Sequence, residues 1–161
     1  MYPFRRSSKI LPIIEELTIS RGLNEFDNIS QITPNIYLSG YMIASNKNEL
    51  DKHNIKNIIN CAKTLPNYFP DNFIYTNVPI DDTWGQQIEQ YFDNTYNVID
   101  TSVNNNENIL VHCHAGVSRS ATIVIAYLMR KYNWDRDQAL NFVRSKRSIV
   151  NPNNDFMKSL L

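Results

Sequence analysis

Residues 112 to 120 read His112-Cys113-His114-Ala115-Gly116-Val117-Ser118-Arg119-Ser120 and stand between two apolar segments. The segment before them, Ile109–Val111, is short, apolar and rich in β-branched residues, which predicts a buried strand. The segment after them, Ala121–Met129, has apolar positions that fit a helix packed on most of its sides. The chain is therefore expected to pass from a strand through a short loop, residues 113–118, into a helix.

This loop, called the signature loop below, has the features of an anion site. Its backbone N–H groups have no strand or helix partner and can converge on one ligand. The positive end of the following helix dipole favours negative charge in the same space. Gly116 lets the backbone turn where a Cβ would collide, and Arg119 offers a planar fork of donors to two phosphate oxygens. The stretch predicts a phosphate-binding loop.

Cys113 is the candidate nucleophile. Thiols at helix N-termini near cations have pKa values of roughly 3.5–7.5 instead of about 8.5, so the loop is expected to favour the thiolate. A thiolate beneath a bound phosphate is a nucleophile aimed at phosphorus. Burial as a small apolar side chain is the commoner fate of a lone cysteine, but the neighbouring residues favour the nucleophile.

The stretch resembles the signature of the cysteine-dependent protein phosphatases, which is Cys, five residues, Arg, then Ser or Thr. The sequence HCHAGVSRSAT followed by AYLM is similar to the dual-specificity branch of that family. The resemblance covers residues 30–161 and includes the INCA strand, the PIDDT loop and the NPN turn. It implies a catalytic domain over residues 30–161, preceded by an N-terminal extension over residues 1–29.

The resemblance also implies a role for each signature residue. Cys113 attacks phosphorus to give a cysteinyl-phosphate, Arg119 holds two phosphate oxygens, and Ser120 hydrogen-bonds the sulfur and stabilises it as a leaving group. His112 is structural: it orders the loop and tunes the thiol. The substrate-binding residues are expected to be His114, Ala115, Gly116, Val117, Ser118 and Arg119.

A carboxylic acid must protonate the leaving oxygen, and Asp81 and Asp82 follow a predicted strand. By resemblance, PIDDT matches the general-acid loop and Asp82 takes the place of the acid. Asp82 is preferred and Asp81 is the alternative acid; the alternative for the pair is a solvated turn, because aspartate is common in turns.

Predicted strands and helices alternate along the chain, which indicates an α/β fold with a mostly parallel sheet and helices on both faces. The signature loop follows a strand's carboxyl end, where ligands bind in such sheets. The expected strands are two short ones around Pro34 and two longer ones over residues 55–62 and 73–80. The expected helices cover residues 45–54, with Ser45 as N-cap and Leu50 in the core, and residues 87–103. Two more helices are expected near the C-terminal end of the sequence, one capped by Asp135 and a short last one containing Phe156.

Composition excludes several classes of function. Sixteen basic and sixteen acidic residues balance, so charge favours neither nucleic acid nor an anionic membrane as partner. The longest strongly apolar run, about nine residues, is too short to span a bilayer, which needs about 20. Two cysteines make no disulfide framework, which favours a reducing cytoplasm or nucleus.

A metal site is not expected, because His112 and His114 alternate across a strand and no Cys-x2-Cys or His-x3-His spacing occurs; no other cofactor is implied. The leading function is therefore a dual-specificity protein phosphatase acting on phosphorylated proteins. The alternatives are a phospho-binding pseudophosphatase, or a relative acting on a phosphoinositide or an RNA 5'-phosphate. Ala115, Val117 and Ser118 stand where relatives that act on phosphoinositides are expected to carry lysines, and they also differ from the residues usual in RNA triphosphatase relatives.

Three further features carry secondary expectations. Arg147 is expected at a solvated helix end, with contact to a second substrate phosphate as the alternative. Cys61 is expected to be a buried apolar residue, with a reversible disulfide to Cys113 as the alternative. The N-terminal extension, with the cluster Arg5, Arg6 and Lys9 before a short helix, is expected to pack on the domain or to be partly disordered, with docking of a partner protein as the alternative.

Overall fold

A five-stranded sheet forms the centre of residues 25–161, which are the residues that the computed structural model describes. The strands are β1 (Ser30–Gln31), β2 (Ile36–Ser39), β3 (Ile55–Asn60), β4 (Ile74–Asn77) and β5 (Asn108–His112), in the order β1-β2-β5-β3-β4. β1 pairs antiparallel to β2, and the other neighbours are parallel. The mostly parallel sheet is thereby confirmed. The cluster Arg5, Arg6 and Lys9 and the helix after Pro12 lie outside the described residues.

Helices cover both faces of this sheet, as expected. On one face lie α1 (Tyr41–Ala44) and α2 (Lys47–Lys52), whose Ile43 and Leu50 pack in a cluster with Ile58 and Leu110. The larger core lies on the other face. There the sheet packs against a 3-10 turn (Ile88–Tyr91) and the helices α3 (Phe92–Asn104), α4 (Arg119–Tyr132), α5 (Arg136–Lys146) and α6 (Asn154–Ser159).

The middle of strand β5, Ile109–Val111, is apolar without a break. Ile109 and Val111 belong to the larger core, whereas Leu110 belongs to the cluster under α1 and α2. Successive side chains of a strand point to opposite faces of the sheet. The middle of a central strand covered by helices on both sides therefore carries apolar residues on both faces.

The predicted helix over residues 45–54 is wrong at its start. Ser45 ends α1, and the N-cap of α2 is Asn46, whose side chain accepts a hydrogen bond from Glu49 N at 3.3 Å. Serine and asparagine are similarly good N-caps, and a four-residue helix such as α1 is too short to show a period. Leu50 is buried, as expected.

The other helix predictions hold better. Asp135 caps α5 in a capping box with Gln138, through hydrogen bonds of 2.8 and 3.0 Å. The predicted helix from Gln87 begins as the 3-10 turn before it continues as α3. None of the helices within residues 25–161 has the length and apolar character needed to cross a membrane.

The parallel pairing brings four chain segments to one edge of the sheet. His112 lies opposite Ser39 of β2 and Asn60 of β3, and Asn60 lies opposite Asn77 of β4. The segments that begin at Gly40, Cys61, Val78 and Cys113 therefore leave the sheet side by side. Apart from His112, the last residue of β5, the functional side chains predicted from the sequence belong to these segments and to the start of α4.

Candidate active site

The signature loop takes a backbone path that requires glycine at its centre. Gly116 has a φ of +65°, a region that residues with a Cβ rarely adopt. A Cβ at this position would also lie 2.6 Å from the backbone carbon of Ser39 and 2.9 Å from Nη2 of Arg147. Gly116 is therefore needed both for the turn and for the close approach of β2.

The carbonyl groups of the signature loop are hydrogen-bonded to the surrounding chain. The His114 carbonyl accepts from Tyr41 N at 3.0 Å, and the Val117 carbonyl accepts from Asn151 N at 2.8 Å. Within the described residues, by contrast, no group accepts a hydrogen bond from the backbone N–H of residues 114–119. Loops with free N–H groups at a helix start form concave anion sites, so this loop has the donors that a phosphate needs.

Arg147 braces this loop, and neither expectation for its side chain holds. Arg147 is 0% exposed. Its Nε donates to the Gly116 carbonyl and its Nη2 to the Ala115 carbonyl, both at 2.9 Å. Its Nη1 donates to the carbonyl of Asn28 at 2.9 Å and to Ser30 Oγ at 3.1 Å.

The reason for this correction lies in the packing of α5. Its C-terminal end lies beneath the loop, where loop carbonyls need donors, and burial lowers the pKa of Arg147 without depriving it of partners. Arg147 therefore faces the chain's own backbone, away from solvent and from any second substrate phosphate.

Cys113 and Ser120 contact each other at the start of α4. Cys113 is 2% exposed, and its Sγ lies 3.0 Å from Ser120 Oγ. Ser120 is in the first turn of the helix, so its hydroxyl can donate to a sulfur held at the end of β5. The structure brings these two predicted residues together.

Arg119 is the first residue of α4 and is 7% exposed. Its Nη1 donates to the Ile80 carbonyl at 3.2 Å, which ties it to the segment after β4, called the β4 loop (residues 78–87). Its Nε is buried without a hydrogen-bond partner in the described part of the chain. A buried charged donor without a partner is costly, and a phosphate oxygen would satisfy it.

Asp82 is connected to the signature loop. Its Oδ1 accepts from Ser118 Oγ at 2.7 Å and from Asn153 Nδ2 at 2.9 Å. Asp81 donates its backbone N–H to Gln86 Oε1 at 3.3 Å, a contact within the β4 loop. Of the two aspartates, Asp82 is the one hydrogen-bonded to the loop that carries Cys113.

Asn153 was identified from the sequence only as part of a turn. In the structure it begins α6 and links that helix to Asp82 and to Ser118. The capping role of Asn153 had a sequence signal, because an asparagine three residues before an apolar residue such as Phe156 fits an N-cap. The contact with Asp82 spans 71 positions, and spacing alone does not reveal it.

His112 is enclosed in the core beneath the loop. Burial, the largest effect, lowers its pKa from 6.5 to about 4, so the imidazole is neutral at physiological pH. Its Nδ1 lies 3.4 Å from the Cys113 carbonyl, and its Nε2 has no partner among the described residues. These contacts agree with the structural role expected for His112.

His114 lies on the exposed side of the loop. Its Nε2 is 3.0 Å from Thr64 Oγ1, and the ring of Tyr41 meets it edge-on with centroids 6.1 Å apart. The segments after β2, β3 and β5 thus contact one another through His114. This position agrees with the rim of a site above Cys113.

Cys61 directly follows β3, the strand that pairs with β5, and so lies beside the residues that follow β5. Its N–H donates to the His112 carbonyl at 2.8 Å, and both cysteines are buried free thiols. Burial raises the pKa of the Cys61 thiol well above its usual value, and the charge of Cys113 adds to that shift. Burial of Cys61 is confirmed, and the disulfide with Cys113 stays a prediction.

Within residues 25–161, no group of three or more His, Cys, Asp or Glu side chains is arranged to hold a metal ion. Two kinds of group described above can stabilise negative charge at this site. These are Arg119 and the free N–H groups of the signature loop.

Comparison with known proteins covers most of the chain. Residues 36–161 match the family described as dual specificity phosphatase, catalytic domain. The chain is 40% identical over 138 residues to the protein phosphatase Slingshot homolog of Xenopus laevis, which covers 86% of this chain and 20% of that protein. It is 35% identical over 159 residues to dual specificity protein phosphatase 1 of Arabidopsis thaliana, which covers 99% of this chain and 80% of that protein.

One solved structure extends the comparison to three dimensions. The human tyrosine phosphatase-like serine/threonine/tyrosine-interacting protein is 32% identical, with a TM-score of 0.77, over 83% of this chain and 93% of that one. The likeness extends to the fold as a whole. By contrast, the chain spans only about a fifth of the Slingshot relative.

Proposed function

Because this chain belongs to the dual specificity phosphatase family, we propose that it is a protein phosphatase acting on phosphotyrosine and on phosphoserine or phosphothreonine. The observation that carries the proposal is the signature loop, in which a buried cysteine and a buried arginine flank backbone N–H groups that have no partner in the described chain. Such a loop binds a phosphate and sets a sulfur beneath it.

The first step transfers the phosphoryl group to Cys113. The thiolate attacks phosphorus, the S–P bond forms, and the P–O bond to the substrate side chain breaks with its electron pair on that oxygen. The oxygen takes the proton of Asp82, which supplies general acid catalysis. Arg119 and the N–H groups of the signature loop stabilise the charge on the phosphoryl oxygens.

The second step releases phosphate. Water attacks phosphorus and gives its proton to the Asp82 carboxylate, while the P–S bond breaks with its electron pair on sulfur. Ser120 donates a hydrogen bond to the departing sulfur; its Oγ is 3.0 Å from Sγ. Neither step calls on His112, whose pKa of about 4 keeps its imidazole neutral at physiological pH.

The proposal extends to partners and compartment. The substrates are phosphorylated proteins, and the reaction requires no cofactor, since the chain itself supplies the nucleophile, the acid and the phosphate donors. A cytoplasmic or nuclear setting suits a nucleophilic cysteine that must stay reduced. Two free thiols agree with that setting.

Hydrolysis of 4-nitrophenyl phosphate and of phosphotyrosine and phosphothreonine peptides tests the proposal. We expect turnover by the wild type that EDTA leaves unchanged, and a loss of about 10³-fold or more in Cys113→Ser. Cys61→Ala is the matched control, because it removes the other thiol and should keep activity. Binding of phosphopeptides by the wild type without turnover would identify a phospho-binding module and contradict the proposal.

A further inference from the structure

The side-chain amide of Asn153 is held in one orientation by two partners. Its Oδ1 accepts from Phe156 N at 2.9 Å and thereby caps α6. Its Nδ2 donates to Asp82 Oδ1 at 2.9 Å. Because the amide oxygen is occupied by a backbone donor, only the NH₂ end can face Asp82.

Ser118 closes a ring of three hydrogen bonds with these two residues. Its Oγ accepts from Asn153 N at 3.0 Å and donates to Asp82 Oδ1 at 2.7 Å. The backbone donor on one side directs the hydroxyl hydrogen towards Asp82. The ring joins the β4 loop, the signature loop and the start of α6.

The two donors leave the two oxygens of Asp82 in different states. Oδ1 accepts hydrogen bonds from both Ser118 and Asn153, whereas Oδ2 has no hydrogen-bond partner in the described part of the chain. A carboxyl proton therefore resides on Oδ2, since both acceptor sites of Oδ1 are in use. The side chain of Asp82 is exposed, so Oδ2 is open to a substrate.

We propose that Asn153 is a positioning residue that, with Ser118, holds Asp82 against the signature loop and confines its proton to Oδ2. The inference rests on the proposed function, in which this proton passes to the leaving oxygen as the P–O bond breaks. Asn153 touches neither substrate nor sulfur and acts through Asp82. The signature loop and the proton donor are thereby set at a fixed distance before a substrate binds.

The leaving group provides the diagnostic measurement. A phenolate from phenyl phosphate is strongly basic and needs the proton, whereas 4-nitrophenolate leaves readily without it. Loss of a group that positions the acid therefore lowers kcat/KM for phenyl phosphate selectively. A general disturbance of the phosphate site lowers kcat/KM for both substrates.

Asn153→Ser separates positioning from helix capping, because serine keeps an N-cap oxygen but has no NH₂ donor for Asp82. We expect kcat/KM for phenyl phosphate to fall roughly tenfold, the effect of one hydrogen bond to a charged group, with 4-nitrophenyl phosphate changed less than about twofold. Asn154→Ser makes the same substitution at the exposed next residue and should match the wild type.

Asn153→Asp gives a second readout. Aspartate keeps the cap but places a second carboxylate beside Asp82, which holds the proton more tightly. The pH at which activity on phenyl phosphate declines should therefore move to a higher value than in the wild type. Thermal unfolding of each variant verifies that its fold is retained.

Two results would overturn the inference alone: equal kcat/KM values for Asn153→Ser and the wild type on both substrates, or an equal loss on both. Failure of the wild type to hydrolyse either substrate would instead overturn the proposed function, and the inference with it. The two failures are distinguished by the wild-type measurement.

Discussion

At the scale of single residues, Asp82 and Asp81 differ in what their groups contact. The carboxylate of Asp82 accepts hydrogen bonds from Ser118 and Asn153. Asp81 instead donates its backbone N–H to the side chain of Gln86. Asp82→Asn should therefore lower kcat/KM for phenyl phosphate by about 10²-fold or more, with Asp81→Asn within about twofold of the wild type. Steady-state kinetics of the pair measures this, and a loss confined to Asp81→Asn would refute the assignment.

The sequence was informative about residues that share a local motif. Cys113, Arg119 and Ser120 are neighbours along the chain, so a strand, a loop and a helix start are enough to bring them together. Asp82 is predicted as the acid only because PIDDT resembles the general-acid loop of the family. Asn153 was not identified, because its bond to Asp82 depends on how α6 packs, and that packing has no local signature.

At the scale of the elements, the end of α5 supports the signature loop through Arg147. Arg147→Gln removes the four hydrogen bonds that the buried guanidinium donates, so the free energy of unfolding should fall by about 3 kcal/mol. The inhibition constant for inorganic phosphate should also rise. Without Arg147 the carbonyls of Ala115 and Gly116 are no longer held, so the N–H groups of the signature loop can turn away from the phosphate. Denaturant unfolding and phosphate inhibition measure the two effects.

Lys146→Gln is the matched control, since Lys146 is the preceding cation on α5 and is exposed. It should change the free energy of unfolding by less than about 0.5 kcal/mol. Equal stabilities of the two variants would contradict the bracing role of Arg147.

The elements themselves were largely predictable. Apolar runs that are short and β-branched gave the strands, and Asp135 gave the start of α5. Arg147 shows the limit of such patterns, because cations at a helix end look the same in sequence whether they face solvent or loop carbonyls. The break between α1 and α2 was also hidden, because Ser45 and Asn46 are equally plausible caps.

At the scale of the whole molecule, buried His112 makes stability depend on pH. Its pKa of about 4 in the folded state lies below the ordinary value of 6.5, so the unfolded chain binds the proton more readily. The stabilisation is complete above about pH 6.5 and is lost as the pH falls towards 4. His112 alone should lower the free energy of unfolding by about 3 kcal/mol across that range.

Urea unfolding at several pH values between 7.5 and 4 measures this dependence. His112→Asn should flatten the profile, whereas His114→Asn, on the exposed side of the loop, should retain it. An unchanged slope in His112→Asn would show that other groups control acid unfolding.

The layered α/β architecture followed from the alternation of strands and helices, and the position of the site followed from the parallel sheet. The sequence did not reveal that α5 and the residues before β1 meet beneath the signature loop. That meeting depends on contacts between residues 117 and 119 positions apart.

Those long-range contacts of Arg147 have a consequence for biosynthesis. A nascent chain that has left the ribosome as far as α4 already holds Cys113 and Arg119, but it lacks the guanidinium that anchors the loop to Asn28 and Ser30. The loop is braced only when Arg147 has been synthesised and its side chain has reached Asn28 and Ser30. A ribosome-bound chain that stops at α4 is therefore expected to bind inorganic phosphate more weakly than a chain that includes Arg147.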